Sequence, residues 1–112
     1  MPTSKWLVTN NILMFNISLA AKIGLNEAIV LQRLHYWLER DSVGVSISGE
    51  RFIYNTYEEW QETNFPFWSL KTIQRTFRHL EKMGLIVAKQ AMKRHYDRKK
   101  YYQINYEKLE EL

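Results

Sequence analysis

The chain contains no cysteine. Disulfides, thiolate metal sites and a cysteine nucleophile are therefore excluded, and the composition suits a reducing compartment. Glycine is scarce: four residues, at 24, 44, 49 and 84, too scattered to form a loop that cradles phosphate. Only three histidines occur, His35, His79 and His95, and none has a partner at metal-ligand spacing. No apolar run approaches the ~20 residues that span a bilayer. The N-terminal MPTSKWLVTNNILMF lacks the apolar core and cleavage site of a signal peptide. These absences predict a cytoplasmic protein with no metal, no cofactor, no membrane partner and no enzymatic activity. The paired acids Glu58 and Glu59 suit a helix start better than acid–base catalysis. Glu107, Glu110 and Glu111 read as a solvated terminal helix.

What remains is a chain of 112 residues, 46% hydrophobic and 14% aromatic, enough for one domain spanning 1–112 with a real core. Its charge is unevenly spread. Ten Lys/Arg and two acids lie between Ser69 and Lys100, a local +8 within a chain of net +4. The rest of the sequence is therefore acidic. One part of the surface becomes an electrostatic footprint for a polyanion. An anionic membrane is disfavoured as the target, because the basic segment commits its apolar residues to one stripe facing a core.

That segment is SLKTIQRTFRHLEK, residues 69–82. Wound at roughly 100° per residue, it places Leu70, Ile73, Phe77 and Leu80 on one stripe. Lys71, Arg75, Arg78 and Lys82 fall within about 60° of one another on the other side. Gln74 flanks the cations on one edge, with Thr72 and His79 on the other, and such side chains can read base edges. Glu81 alone is acidic, and it lies off the cationic stripe. An ordinary solvated face would mix the signs, so the pattern points to nucleic acid.

The remaining elements follow from caps and periodicity. Residues 1–16 form an N-terminal extension, with Ile12, Leu13, Met14, Phe15 and Ile17 apolar enough to pack. Ser18 to Ile23 predicts a short helix stopped by Gly24. Asn26 predicts the cap of a first main helix over 26–40, with Val30, Leu31, Leu34, Trp37 and Leu38 as its core stripe. Residues 41–50 read as loop, and 51–55 as a short strand. Thr56 and Glu59 form a capping box that opens a second helix over 56–64. Pro66 forbids its continuation, and Ser69 caps a third helix, 69–83, with Trp68 and Ile73 as a hydrophobic staple. Two strands over 85–106, joined by the basic loop QAMKRHYDR, then form a hairpin, the second strand alternating Tyr102, Ile104 and Tyr106 against Tyr101, Gln103 and Asn105. Asn105 predicts the cap of a final helical turn.

The expected fold is mainly α with a small antiparallel β-hairpin, ordered as a winged helix-turn-helix. The third helix is the recognition helix and the hairpin loop the wing. Candidate DNA contacts are Ser69, Lys71, Thr72, Gln74, Arg75, Arg78, His79 and Lys82 on the helix. On the wing they are Lys93, Arg94, His95, Tyr96, Arg98, Lys99 and Lys100. Tyr96, set among cations, suits three roles: stacking on an unpaired base, wedging into a minor groove, or covering the hairpin. Trp37, Trp60, Trp68, Phe65, Phe67 and Phe77 are read as core. Ile29 and Tyr36 leave a second apolar face on the first main helix. Trp6 and Phe15, with the run from Ile12, supply cover from the same chain or from a second copy, so a homodimer is expected.

The segments NEAIVLQRLHYWLER, YNTYEEWQETNFPFWSLKTIQRTFRHLEKMGLI and DRKKYYQINYEKLEEL resemble the N-terminal winged-helix domain of replication proteins from phages and plasmids of Gram-positive bacteria. That group includes replisome organisers, plasmid initiators and DnaD-like proteins. The likeness runs from about Leu19 to Leu112 and is most specific at Phe65-Pro66-Phe67-Trp68 followed by Ser69, Lys71, Thr72 and Ile73. It implies DNA binding and self-association in starting replication of a mobile element. Many such proteins continue into a further domain; here the expectation is a small protein acting alone or beside a partner that supplies that part. Two other readings stand: a module that docks a polymerase, primase or helicase and binds DNA weakly, and a transcriptional regulator of the same fold.

Overall fold

A computed structural model describes residues 4–7, 11–40, 42–89 and 100–112. Its elements run α1 (Ile17–Ile23), α2 (Leu25–Leu38), β1 (Val45–Ile47), β2 (Glu50–Asn55), α3 (Tyr57–Thr63), α4 (Leu70–Lys82), β3 (Ile86–Lys89), β4 (Lys100–Ile104) and α5 (Tyr106–Glu110). The strands form one antiparallel sheet in the order β1-β2-β4-β3. The architecture is thus mixed α/β, not mainly α with a hairpin.

The extra strand comes from residues expected to be loop. Val45 and Ile47 alternate with exposed Ser46, and Ser48 and Gly49 turn the chain with φ of 53° and 82°. Two successive left-handed residues form the tight turn whose twist matches paired strands. Ile47 then faces Glu50, and Val45 faces Phe52.

The first main helix also starts differently. Gly24 ends α1 and begins α2, at φ 110°. Asn26 lies inside α2 and is not its cap. At the φ of Gly24 an L side chain is strained, so the junction favours glycine, and a Cβ there would also displace the carboxylate of Glu27. The far end of α2 is closed from the sheet. Arg51 on β2 donates from Nε to the Leu38 carbonyl at 3.3 Å, and from Nη2 to the carbonyls of Arg40 and of Val43, the latter at 2.6 Å. A guanidinium there meets orphan carbonyls and the negative end of the helix dipole.

The two later helices follow their sequence signals. The capping box is complete: Glu59 N–H donates to Thr56 Oγ1 at 3.1 Å, and Thr56 N–H to Glu59 Oε1 at 2.9 Å. Ser69 Oγ accepts from Thr72 N–H at 3.1 Å and so opens α4. Gly84, at φ 74°, closes α4: its N–H reaches Glu81 O and that of Leu85 reaches Leu80 O, both at 3.0 Å. The connection between α3 and α4 is pinned by Gln61 Nε2, which donates to Trp68 O at 2.9 Å.

The core lies where α2, α3 and α4 meet the sheet. Trp60, Phe65, Phe77 and Tyr102 are fully buried, with Phe77 and Tyr102 ring centres 4.8 Å apart. Leu31, Leu34, Ile53, Ile73, Leu80 and Ile104 close around them. Trp37 and Trp68 are half-buried against this core. Phe67 departs from expectation. It is 59% exposed, standing edge-on to Trp68 at 5.1 Å, because the turn from Phe65 to Trp68 directs those two rings inward and leaves Phe67 outside.

Candidate nucleic-acid interface

The helix α4 is buried along Ile73, Thr76, Phe77 and Leu80. Lys71, Arg75, Arg78 and Lys82 are exposed on the opposite side. Among the described residues, none of these four cations pairs with a carboxylate. They line a groove of about 550 Å³ with Gln74, His79 and, from α2, Glu27. Four exposed cations on 13 residues of helix make this face strongly positive, and Glu27 is the acid among the residues that line the groove. The last turn contributes His79 and Lys82, and no acid stands in the first turn to oppose an anion.

Not every candidate on α4 is free. Ser69 and Thr72 are committed to the cap, with Ser69 Oγ also donating to Thr72 Oγ1 at 3.0 Å. Thr76 Oγ1 donates to the Thr72 carbonyl at 2.7 Å. Gln74 is half-buried at the groove edge. His79 has an unexpected neighbour: its Nδ1 lies 3.3 Å from Glu27 Oε2. Glu27 is the groove residue that sequence reasoning missed. It reads as an ordinary first-turn acid of α2, and only the packing of α2 on α4 brings it to the groove.

On the hairpin, Lys100 begins β4 opposite Asn55. Its Nζ lies 3.4 Å from the Tyr57 hydroxyl and 5.6 Å from that ring centre, so this cation sits at the start of α3. Lys93, Arg94, His95, Tyr96, Arg98 and Lys99 lie outside the described residues.

The residues expected at a subunit interface do not share one environment. Ile29 is half-buried and packs on the chain's own core, as does Leu13 of the N-terminal extension. Tyr36 has the guanidinium groups of Arg33 and Arg40 over its ring, their carbons 4.6 Å and 3.6 Å from its centre. Trp6 and Phe15 are exposed, at 79% and 43%. The second apolar face of α2 is therefore partly covered within the chain, by the core at Ile29 and by arginines at Tyr36.

His35 joins α2 to α5, its Nδ1 2.8 Å from the Tyr106 hydroxyl and its Nε2 2.9 Å from Glu39 Oε1. Among the described residues, no group of three or more His, Asp or Glu is gathered to hold a metal ion, and no helix is long and apolar enough to cross a membrane. Comparison with family models, with curated proteins and with solved structures gave no match.

Proposed function

We propose that this chain is a DNA-binding winged-helix domain that lays α4 along the duplex and acts in replication of a mobile element. The observation that carries the reading is the unpaired cationic face of α4, Lys71, Arg75, Arg78 and Lys82. The order α2, β2, α3, α4 and then the β3–β4 hairpin, with β4 between β2 and β3, is compatible with a winged helix and supports this reading. In such a fold the second helix of the helix-turn-helix enters the major groove, and here that helix is α4. The short, pinned connection after α3 fixes its angle. The role in replication rests on the sequence resemblance, since the fold hosts many functions.

The test is direct. An Arg75→Ala, Arg78→Ala double variant with unchanged circular dichroism should lose most of its affinity for a labelled duplex. Normal binding by that folded variant removes this surface from consideration.

A second reading, a module for self-association or for docking a replication protein, draws on the N-terminal segment. Leu7, Met14 and Ile17 are 87%, 67% and 80% exposed, beside Trp6 and Phe15. Apolar side chains displayed along one segment favour a partner surface. A homodimer joined there predicts a concentration-dependent mass in light scattering that Met14→Glu, Ile17→Glu abolishes. A monomer at high concentration overturns it.

A further inference from the structure

We infer that Glu27 is a positioning residue for nucleic acid: it holds His79 with Nε2 toward the ligand as a phosphate donor, so that binding takes up one proton. This rests on the α4 face being the nucleic-acid surface.

The argument starts from the placement of the carboxylate. Glu27 stands in the first turn of α2, its side chain only 15% exposed. Oε1 occupies the space over Gly24 that a Cβ would fill, and Oε2 lies 3.3 Å from His79 Nδ1. The carboxylate therefore lies between the α1–α2 junction and α4, in space that the glycine at 24 leaves open. Glu27 is too covered to read a base. The His79 ring, 49% exposed, is not.

The chemistry of the ring follows. An ionised carboxylate only accepts hydrogen bonds, so the proton of a neutral imidazole belongs on Nδ1. That leaves a lone pair on Nε2, which repels a phosphate oxygen. A phosphate at Nε2 requires a second proton there, and the imidazolium then lies between two anions. The proton comes from solvent and no covalent bond between heavy atoms changes. Before binding, Arg75, Arg78 and Lys82 line the same groove and oppose a further positive charge. Phosphates neutralise them as they arrive. From the other elements packed on α4, α2 contributes Glu27, whereas α3 and β3 contribute no titratable side chain to the groove among the described residues. One proton taken up means that affinity falls by as much as tenfold per pH unit wherever the free ring is neutral.

Two measurements on the full chain test this. Nitrogen-15 NMR of the imidazoles in the free protein should show the His79 proton on Nδ1, and Glu27→Gln should remove that preference. A neutral ring protonated on Nε2 in the wild type overturns the inference without reference to DNA. Affinity for a fluorescein-labelled mixed-sequence duplex is then followed from about pH 6 to about pH 8. The wild type should weaken as pH rises, His79→Gln should lose most of that slope, and Glu27→Gln should bind severalfold more weakly with a shallower profile; a wild-type slope in His79→Gln overturns the inference. If Glu27→Gln binds more tightly with the wild-type slope, Glu27 merely repels phosphate and the inference fails. Should Glu27→Gln not fold, the wild-type and His79→Gln profiles decide alone. A flat wild-type profile, with binding still lost in the Arg75/Arg78 variant, overturns this inference only. Binding that survives in that variant overturns the parent reading.

Discussion

Arg33 of α2 donates through Nε to Oδ1 of Asn64, the residue that ends α3, at 2.7 Å. The same oxygen accepts from the indole N–H of Trp37 at 3.0 Å, and Asn64 Nδ2 donates to Thr63 Oγ1 at 2.9 Å. Asn64 is nearly buried, so one amide fixes the angle between α2 and the helix that leads into α4. Burial pushes the Arg33 guanidinium below its ordinary range; Tyr36 offsets this and Arg40 adds to it. Removing the acceptor leaves two covered donors without a partner. Asn64→Ala should therefore cost about 2–4 kcal/mol. Urea unfolding followed by tryptophan fluorescence measures it, and a loss of under about 0.5 kcal/mol, a typical surface value, sinks the claim.

None of that amide's long-range partners could be read from the sequence, and the contrast with what could is instructive. The caps at Thr56, Ser69 and Gly84 were legible because each acts within a few residues, through side-chain and backbone rules that need no tertiary context. The buried face of α4 was legible for the same reason. The β1 strand was not, because Val45–Ile47 is too short for its alternation to stand out. The Ser48-Gly49 dipeptide was the available signal. The start of α2 was misplaced because Gly24 serves two helices and Asn26 imitates a cap. Phe67 looked like core by residue type alone, and only the turn decides which of three successive aromatics faces outward. At the candidate site, the cations were read from helical spacing, while Glu27 became visible only when α2 met α4.

Arg51 offers a second stability test. Its Nε and Nη2 reach three carbonyls, those of Leu38, Arg40 and Val43, around the end of α2. A lysine ammonium keeps the charge but lacks the planar fork that spans them. Arg51→Lys should therefore recover little of what Arg51→Ala loses, about 1–3 kcal/mol in each case. Full recovery by lysine, in the same denaturation assay, means that charge at the helix end is what matters.

Alkaline pH should unfold the domain through Tyr102. Its phenol is fully buried beside Phe77, and burial raises its pKa well above the ordinary value, with Tyr57 and Glu81 raising it further. A folded-state pKa above the unfolded one favours the neutral phenol in the fold. The resulting stability is complete below about pH 10, where an unfolded tyrosine titrates, and is lost as pH rises beyond it. Tyr102→Phe removes the titrating group, so its melting temperature should fall less between about pH 9 and about pH 11. Identical pH profiles for the two proteins contradict this account.

Salt dependence separates an electrostatic groove from one that reads bases. If the four cations of α4 each meet a phosphate, log K against log salt should slope near −3.6 on duplex and near −2.8 on a single strand. Further contacts from the basic loop after β3 would steepen it, to about −5 for six phosphates. The residues of α4 should not behave alike. Lys82 stands in the last turn, where backbone contact is expected, and Lys82→Ala should weaken all sequences equally and flatten the slope by about 0.9. Arg75 stands in the second turn, nearer the end of a recognition helix that reaches base edges. Arg75→Ala should cost about 1–3 kcal/mol on a preferred site and narrow the gap between preferred and random duplexes. Titrations of both variants against both duplexes, at one fixed pH, distinguish these roles. A wild-type affinity that does not change with salt removes the phosphate backbone as the ligand of α4, whatever the sequence of the DNA.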